Sequence, residues 1–216
     1  DSYETFQYHI MSRFLDRMVG TIRLTGACQP IASALFETGR NPGILRAIGD
    51  SAVDAVTDGW YPGGFELHEE DNLFEYAENY QLPEAVRGKA KMVYEFDICG
   101  TYYNVGMYPA MARRYRSMGA QVVCQFQYDS AVTARQNTDW GVHYFNNDVT
   151  PAKTVAFMIA REAFGAIPRG KTYPTPEDRQ VFDHFAVAKN PKQAIMITPD
   201  RVFFANALED WLPLDL

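Results

Sequence analysis

The residues best placed to do chemistry lie in one short run, Lys91–Asp97, which reads KMVYEFD. Side chains alternate along a strand, which predicts one face that ends in carboxylates and one apolar face: Val93, Glu95 and Asp97 against Met92, Tyr94 and Phe96. An inward Glu at a strand end is costly unless it is paired or functional. Glu95 is therefore either a reactive carboxylate, as we expect, or one half of an ion pair with a buried Arg or Lys.

Other polar residues stand at the ends of predicted strands. Asp58 ends the strand before Glu95, and Asp97 follows Glu95 on its expected face. Either could be a second carboxylate, and Asp97 could orient the first, but Asp also commonly caps the loop or helix that follows a strand. Gln125 and Gln127 end the next strand, where they could bind substrate hydroxyls or satisfy each other's hydrogen bonds.

Aromatic side chains are concentrated in three predicted loops, each of which follows a strand. Aromatic faces stack on the C–H faces of sugars, although the same rings could simply pack the loops together. The residues expected to contact substrate are Trp60, with Tyr61 beside it, Tyr102, Tyr103, Trp140 and His143.

Strands and helices alternate through most of the chain. A leading helix over 12–24 precedes strands at 30–36, 53–58, 91–97 and 121–127, and helices are predicted to begin near Asn41-Pro42, Asp71, Pro109 and Thr150-Pro151. This order predicts an α/β fold with parallel crossover units. After Gly165 the pattern changes to a proline-rich connector and short strands in HFAVAKN, QAIMI and RVFFANAL.

Four strand–helix units do not close an eight-stranded barrel. We therefore expect residues 1–170 to be the C-terminal half of a (β/α)8 TIM barrel, 171–181 a linker, and 182–216 the start of a β-sandwich-like module. A small doubly wound sheet of four strands is the alternative.

Composition narrows the classes of function. The net charge of −7 argues against a nucleic-acid partner, and no apolar run approaches the length of a membrane span. Cys28, Cys99 and Cys124 lack metal-ligand spacing, and Cys124 is predicted to be a buried free thiol. His68 and His143 stand apart from other ligand types, so we expect no metal and no cofactor. No G-x-S-x-G motif is present, which excludes the common α/β serine hydrolases.

From Met11 to Gly170 the order of elements resembles the second half of a clan A glycoside hydrolase, an eightfold barrel of retaining glycosidases. The segment VYEFD around Glu95 is similar to the seventh strand of that clan, which implies that Glu95 is the nucleophile. Trp60 or Tyr61 matches the residue near the nucleophile at the end of the sixth strand, which implies that Tyr61 or a neighbour orients Glu95. The fourth predicted strand departs from the clan, because CQFQYDS has Gln125 and Gln127 where a sugar-stacking Trp is usual.

The resemblance implies retaining hydrolysis of a polysaccharide or oligosaccharide. The clan's acid/base, a Glu after an Asn at the end of the fourth strand, would belong to a segment that this chain lacks. The implied partners are a carbohydrate and the N-terminal half of the same barrel, as a separate or missing segment, and the implied location is secreted or periplasmic. Two other readings stay open: a non-catalytic carbohydrate-binding barrel, and an α/β domain with a metal or phosphate ligand at its strand ends.

Overall fold

The computed structural model describes residues 2–62, 72–98, 105–128, 130, 145–148, 150–175, 179–182, 185–188, 193–197 and 202–206. The chain forms two compact units. Unit 1 contains Asp1–Trp60, Gln81–Phe96 and Met118–Cys124, and unit 2 contains Tyr61–Tyr80, Asp97–Ser117 and Gln125–Leu216.

Helices and strands alternate up to Ala166, as predicted. Their order is α1 (Tyr3–Leu24), β1 (Ala32–Ala34), α2 (Pro42–Asp50), β2 (Ala55–Trp60), α3 (Leu73–Glu78), β3 (Ala90–Phe96), α4 (Met107–Ser117), β4 (Ala120–Gln125) and α5 (Pro151–Ala166). Short 3-10 turns cover Phe36–Thr38 and Glu84–Val86.

The strands β1 to β4 form one sheet in the order β1-β2-β3-β4, and β2 is parallel to both of its neighbours. A doubly wound sheet reverses its strand order at a switch point. The described strands of this sheet show no reversal, so the doubly wound alternative is wrong. The order is that of successive strand–helix units that wind in one direction.

Local capping explains where most helices begin. The Asn41 side chain accepts hydrogen bonds from the backbone N–H groups of Gly43 and Ile44 at 3.0 and 3.3 Å, so the predicted Asn-Pro start of α2 is confirmed. The predicted Thr150-Pro151 start of α5 is also confirmed, since Thr150 is the N-cap residue and the helix begins at Pro151, but the Thr150 side chain makes no cap hydrogen bond to α5. The Thr150 hydroxyl instead donates to the backbone oxygen of Asn146 at 3.1 Å.

The hydrophobic core of unit 1 lies between the sheet and the first two helices. Val56 of β2 packs in a buried cluster with Leu15 and Val19 of α1 and Leu45 and Ile48 of α2. We call the side of the sheet that carries Val56 the helix face. The other side, the second face, carries Ala32 and Ala34 of β1, both of which are exposed.

Unit 2 combines α3, α4 and α5 with four antiparallel strands. The hairpin β5 (Arg179–Phe182) and β6 (Phe185–Ala188) is followed by the hairpin β7 (Gln193–Ile197) and β8 (Val202–Asn206). The last three strands lie in the segments predicted for them, and β5 lies in the predicted connector. Both α4 and α5 contact β7.

The expectation of a buried thiol at Cys124 is wrong. Val122 and Cys124 lie two residues apart on the edge strand β4, so they share one side, and both are exposed. Cys28 is also free and exposed, and Cys99 lies outside the described residues. Among the described helices, none is long and apolar enough to cross a membrane.

Candidate active site

A β-bulge lies immediately before Glu95. Asp58 of β2 pairs with Val93 of β3, but the next residue, Gly59, pairs with Glu95, so Tyr94 is an extra residue in β3. An extra residue interrupts the alternation of side chains and re-aims the residue that follows.

The bulge reverses the predicted face of Glu95. Paired residues on neighbouring strands point to the same side of a sheet. Val93, beside Asp58, therefore lies on the helix face and is 2% exposed, whereas Glu95, beside Gly59, lies on the second face and is half-buried. The prediction that Val93, Glu95 and Asp97 share one face is wrong, because regular alternation stops at Tyr94.

An aromatic ring lies next to Glu95 on the second face. A Cβ added to Gly59 would come within 3.2 Å of the Phe36 ring and 3.5 Å of Cγ of Glu95. Phe36 follows β1 and is 47% exposed. The absence of a side chain at Gly59 thus leaves room for both an exposed ring and a carboxylate side chain at the end of β2.

Tyr94 contributes a hydroxyl group that lies near two carboxylates. It donates a short hydrogen bond to Oε1 of Glu37, in the turn after β1. Burial raises the pKa of Tyr94 most, and hydrogen bonding to Glu37 and then Glu95 raises this pKa further. The Tyr94 hydroxyl is therefore protonated at neutral pH and remains a donor.

Glu95 is not held in an ion pair within the described part of the chain. No Lys or Arg among those residues lies within 4.0 Å of its carboxylate oxygens, although salt bridges are present elsewhere. The described residues therefore do not form the ion pair between Glu95 and a buried Arg or Lys that was the alternative to a reactive carboxylate.

Asp58 is oriented away from Glu95 and has a cationic partner. It lies on the helix face, is fully buried, and pairs with Arg40 at 2.7 Å. Arg40 also donates to the backbone oxygen of Gln81 at 2.8 Å, and its φ of 54° is in the left-handed region that non-glycine residues rarely adopt. The possibility of Asp58 as a second carboxylate beside Glu95 is therefore wrong.

Asp97 belongs to a buried cluster in unit 2. It is fully buried, accepts a short hydrogen bond from the Tyr108 hydroxyl, and lies 3.4 Å from Nζ of Lys153, which is 1% exposed. Tyr108 in turn packs edge-on against Phe145 and Phe157. This enclosure makes Asp97 a structural anchor that joins the segment after β3 to α4 and α5.

The remaining predicted site residues are partly described. Trp60 pairs with Phe96, which puts it on the helix face and therefore not beside Glu95. Tyr61 is half-buried and packs edge-on against Phe126, with ring centroids 6.5 Å apart. Gln125 and Gln127 are half-buried at and after the end of β4. The predictions that lie outside the described residues are Tyr102, Tyr103, Trp140 and His143.

Sequence reasoning missed Phe36, Glu37 and the role of Tyr94. The predicted apolar strand ended at Phe36 and Glu37 followed it, but β1 ends at Ala34 and a 3-10 turn covers both residues. The sequence Thr38-Gly39-Arg40 was the available signal, because Gly39 and Arg40 both have positive φ and fold the turn back.

The described residues contain no group of three or more His, Cys, Asp or Glu side chains that could hold a metal ion. What the unit 1 arrangement offers is a carboxylate, a protonated phenol, a second carboxylate and an exposed aromatic ring around the ends of β1, β2 and β3.

Comparisons with known proteins give distant likenesses. No protein-family model and no curated protein matches the chain. Among solved structures, the chain is similar to a glucosidase from Croceicoccus marinus, with 15% identity over 82% of this chain and 38% of that chain and a TM-score of 0.43. It is also similar to an endo-β-1,4-mannanase from Thermotoga petrophila, with 13% identity over 73% of this chain and 36% of that chain and a TM-score of 0.39. The chain thus spans less than two fifths of either protein's length.

Proposed function

We propose that this chain is part of a retaining glycoside hydrolase that acts on a polysaccharide or oligosaccharide, with Glu95 as its nucleophile. The observation that carries this proposal is the contrast between Glu95 and its acidic neighbours. Asp58 and Asp97 are fully buried against cations, whereas Glu95 is half-buried, has no described cationic partner and is turned by a bulge to the second face.

The position of Glu95 supports the same proposal. It lies near the carboxyl end of a strand in a parallel sheet whose units wind in one direction. Enzymes built as barrels of alternating strands and helices place their chemistry at that end of the strands. The resemblance of VYEFD to the seventh strand of clan A glycosidases implies the same role.

In the proposed reaction, a Glu95 carboxylate oxygen attacks the anomeric carbon of the sugar. The bond from that carbon to the leaving oxygen breaks, and a second carboxyl group gives the leaving oxygen a proton. Water then attacks the glycosyl ester, the second carboxylate takes a proton from that water, and Glu95 is released. By the resemblance, the second carboxyl belongs to the N-terminal half of the barrel.

Substrate contacts in this proposal come from aromatic rings and amides near the strand ends. Phe36 is an exposed ring beside Glu95, and Trp140 remains a proposed sugar platform. Gln125 and Gln127 would donate hydrogen bonds to sugar hydroxyls, in place of the Trp that the clan usually has there. Residues 1–170 would form the half-barrel and 182–216 the following module of an exported enzyme.

Replacement of Glu95 in the complete enzyme tests the proposal. Glu95→Gln should lower kcat on an aryl glycoside by at least about a thousandfold, because the amide is a poor nucleophile. Glu84→Gln is the matched control, since Glu84 is 78% exposed and pairs only with Arg87 among the described residues. Near-full activity of Glu95→Gln would overturn the proposal. Sugar binding without any turnover of the native enzyme would favour a carbohydrate-binding barrel.

Azide gives a second, more diagnostic result. Glu95→Ala should regain turnover of an activated aryl glycoside when azide is added, because azide can attack the anomeric carbon from the space that the carboxylate leaves. The product should be a glycosyl azide of inverted anomeric configuration. Rescue with the same product in a Glu84→Ala control would contradict the assignment to Glu95.

A further inference from the structure

We propose that Glu37 and Tyr94 are a positioning pair for Glu95: Glu37 fixes the Tyr94 hydroxyl, and that hydroxyl fixes the Glu95 carboxylate. The inference rests on the proposed role of Glu95 as nucleophile. It adds two residues to the site that neither the sequence patterns nor the resemblance indicated.

The first observation is the competition for one proton. The Tyr94 hydroxyl donates to Oε1 of Glu37, and the Glu95 carboxylate is a second acceptor near the same hydroxyl. A phenol has a single proton to donate, and ionised carboxylates only accept. The two carboxylates therefore share one donor.

The second observation is that Glu37 is held in a tight turn. The backbone N–H of Leu35 donates to the oxygen of Thr57 in β2 at 2.8 Å, and the Thr38 hydroxyl donates to the oxygen of Leu35 at 2.6 Å. The backbone N–H of Arg40 donates to the Thr38 hydroxyl oxygen at 3.1 Å. These bonds fix the turn against β2, so Glu37 can hold the Tyr94 hydroxyl in one place.

The third observation is the bulge itself. Tyr94 is the extra residue of β3, and Glu95 follows it directly. A hydrogen bond that fixes the Tyr94 side chain therefore also fixes the backbone conformation that turns Glu95 to the second face.

A shared donor suits a nucleophile whose charge changes during the reaction. The free Glu95 carboxylate attracts part of the Tyr94 hydrogen bond. When Glu95 becomes a neutral ester, that attraction weakens and the hydroxyl turns fully to Glu37. Hydrolysis of the ester restores the charge and the sharing. No proton leaves Tyr94 in either step.

Covalent labelling of the complete enzyme tests the positioning role. A 2-deoxy-2-fluoro aryl glycoside should form a stable ester on Glu95, and the rate of ester formation is followed by intact mass. Tyr94→Phe and Glu37→Gln should each slow labelling about tenfold, as expected for the loss of one hydrogen bond to a charged group. Tyr8→Phe is the matched control, because Tyr8 donates an equivalent bond to Asp50 at 3.0 Å and should label at the native rate.

A titration of Tyr94 tests, without any catalysis, whether its hydroxyl is shared between Glu37 and Glu95. The NMR signal of 13C-labelled tyrosine, assigned with Tyr94→Phe, should show that Tyr94 ionises at a lower pH in both Glu37→Gln and Glu95→Gln than in the native protein. An unchanged Tyr94 titration in Glu95→Gln would show that the Glu95 carboxylate does not lie at the Tyr94 hydroxyl, and that result would overturn the sharing.

The two proposals fail in different ways. Native-rate labelling in both Tyr94→Phe and Glu37→Gln, with Glu95 labelled in the native enzyme, would overturn the positioning pair and leave the nucleophile intact. Labelling of another residue would overturn the nucleophile, and the Tyr94 titration would still decide whether its hydroxyl is shared.

Discussion

Three carboxylates near the ends of β2 and β3 have different environments, and those environments separate their roles. Asp58 is fully buried and pairs with the exposed Arg40, whereas Asp97 and its partner Lys153 are both buried. Glu95 instead lies beside a phenol and an exposed ring. A carboxylate paired with a cation is a poor nucleophile, so under the proposed function Glu95 is the acid of the three that is left free to attack.

The buried pair of Asp97 and Lys153 should be needed for the stability of unit 2. Lys153→Met should lower the free energy of unfolding by about 3–5 kcal/mol, because it leaves the Asp97 carboxylate buried without a counter-charge. The double variant with Asp97→Asn should recover much of this loss. Urea denaturation followed by circular dichroism measures both effects.

Lys171→Met is the control for that pair. Lys171 is exposed and lies 4.9 Å from the Tyr173 ring centroid, so its replacement should change stability little. Equal stabilities of Lys153→Met and Lys171→Met would show that the ion pair contributes nothing.

Individual residues also show where prediction from sequence stops. The strand around Glu95 was predictable, because a run of strand-forming residues is a local feature. The bulge at Tyr94 was not predictable, since the sequence VYEFD by itself predicts a regular alternation of side chains. The partner of Asp97 lies 56 residues further along the chain and depends on tertiary packing.

Glycines in the helices show how closely elements of unit 1 pack. A Cβ on Gly49 of α2 would come within 2.1 Å of the Ala85 backbone oxygen, which cannot move as a side chain can. Gly49→Ala should therefore destabilise the protein by about 1–3 kcal/mol, the usual cost of overpacking. Gly20 of α1 has nothing within 4 Å of an added Cβ. Gly20→Ala should stabilise α1 by about 0.5–1 kcal/mol.

Thermal denaturation of the two variants measures this contrast directly. The midpoint of Gly49→Ala should fall and that of Gly20→Ala should rise. A rise for both would mean that α2 does not lie against the Glu84–Val86 turn as described.

Asp54 connects three elements and gives unit 1 a pH-dependent contribution to stability. Its Oδ2 accepts from the Ile31 backbone N–H at 2.7 Å, before β1, and from Arg23 of α1 at 2.6 Å. The hydrogen bond from the Ile31 backbone N–H lowers the pKa of Asp54 most, and the neighbouring Arg23 guanidinium lowers this pKa further. A lowered pKa in the folded state stabilises the fold above the unfolded value of about 3.9 and ceases to do so as pH falls through the folded value.

Asp54→Asn should therefore unfold at a lower urea concentration than the native protein at pH 7, and the difference should shrink below about pH 4. The exposed pair of Glu84 and Arg87 supplies the control, because Glu84→Gln should shift the midpoint little at either pH. A difference for Asp54→Asn that is constant from pH 7 to pH 3 would contradict an ionic contribution.

The positions of the helices and strands were more predictable than the direction in which individual side chains point. The Asn-Pro signal placed the start of α2 correctly, because a cap is made by residues two and three positions away. The end of β1 was misplaced, because Leu35 and Phe36 are apolar and continue the strand pattern. Their separation into a buried Leu35 and an exposed Phe36 follows from the turn at Phe36–Thr38, which depends on contacts with β2.

The whole chain is an α/β protein whose four-stranded sheet keeps the order of the sequence. Alternation of strand and helix patterns predicted this class, since parallel neighbours require a crossover between them. The same patterns left a doubly wound sheet open, and only the observed strand order decides against it. Site predictions in loops, such as Trp140, had no equivalent regular pattern to place them.

The single most direct test is the site of covalent labelling in the complete enzyme. After incubation with a 2-deoxy-2-fluoro aryl glycoside, the proteolysed protein is analysed by tandem mass spectrometry. A retaining glycosidase with the proposed nucleophile should carry one fluoroglycosyl group as an ester on Glu95, and Glu95→Gln should carry none. An enzyme that turns over glycosides but is labelled on a different carboxylate, or is labelled equally in Glu95→Gln, would contradict the proposed function.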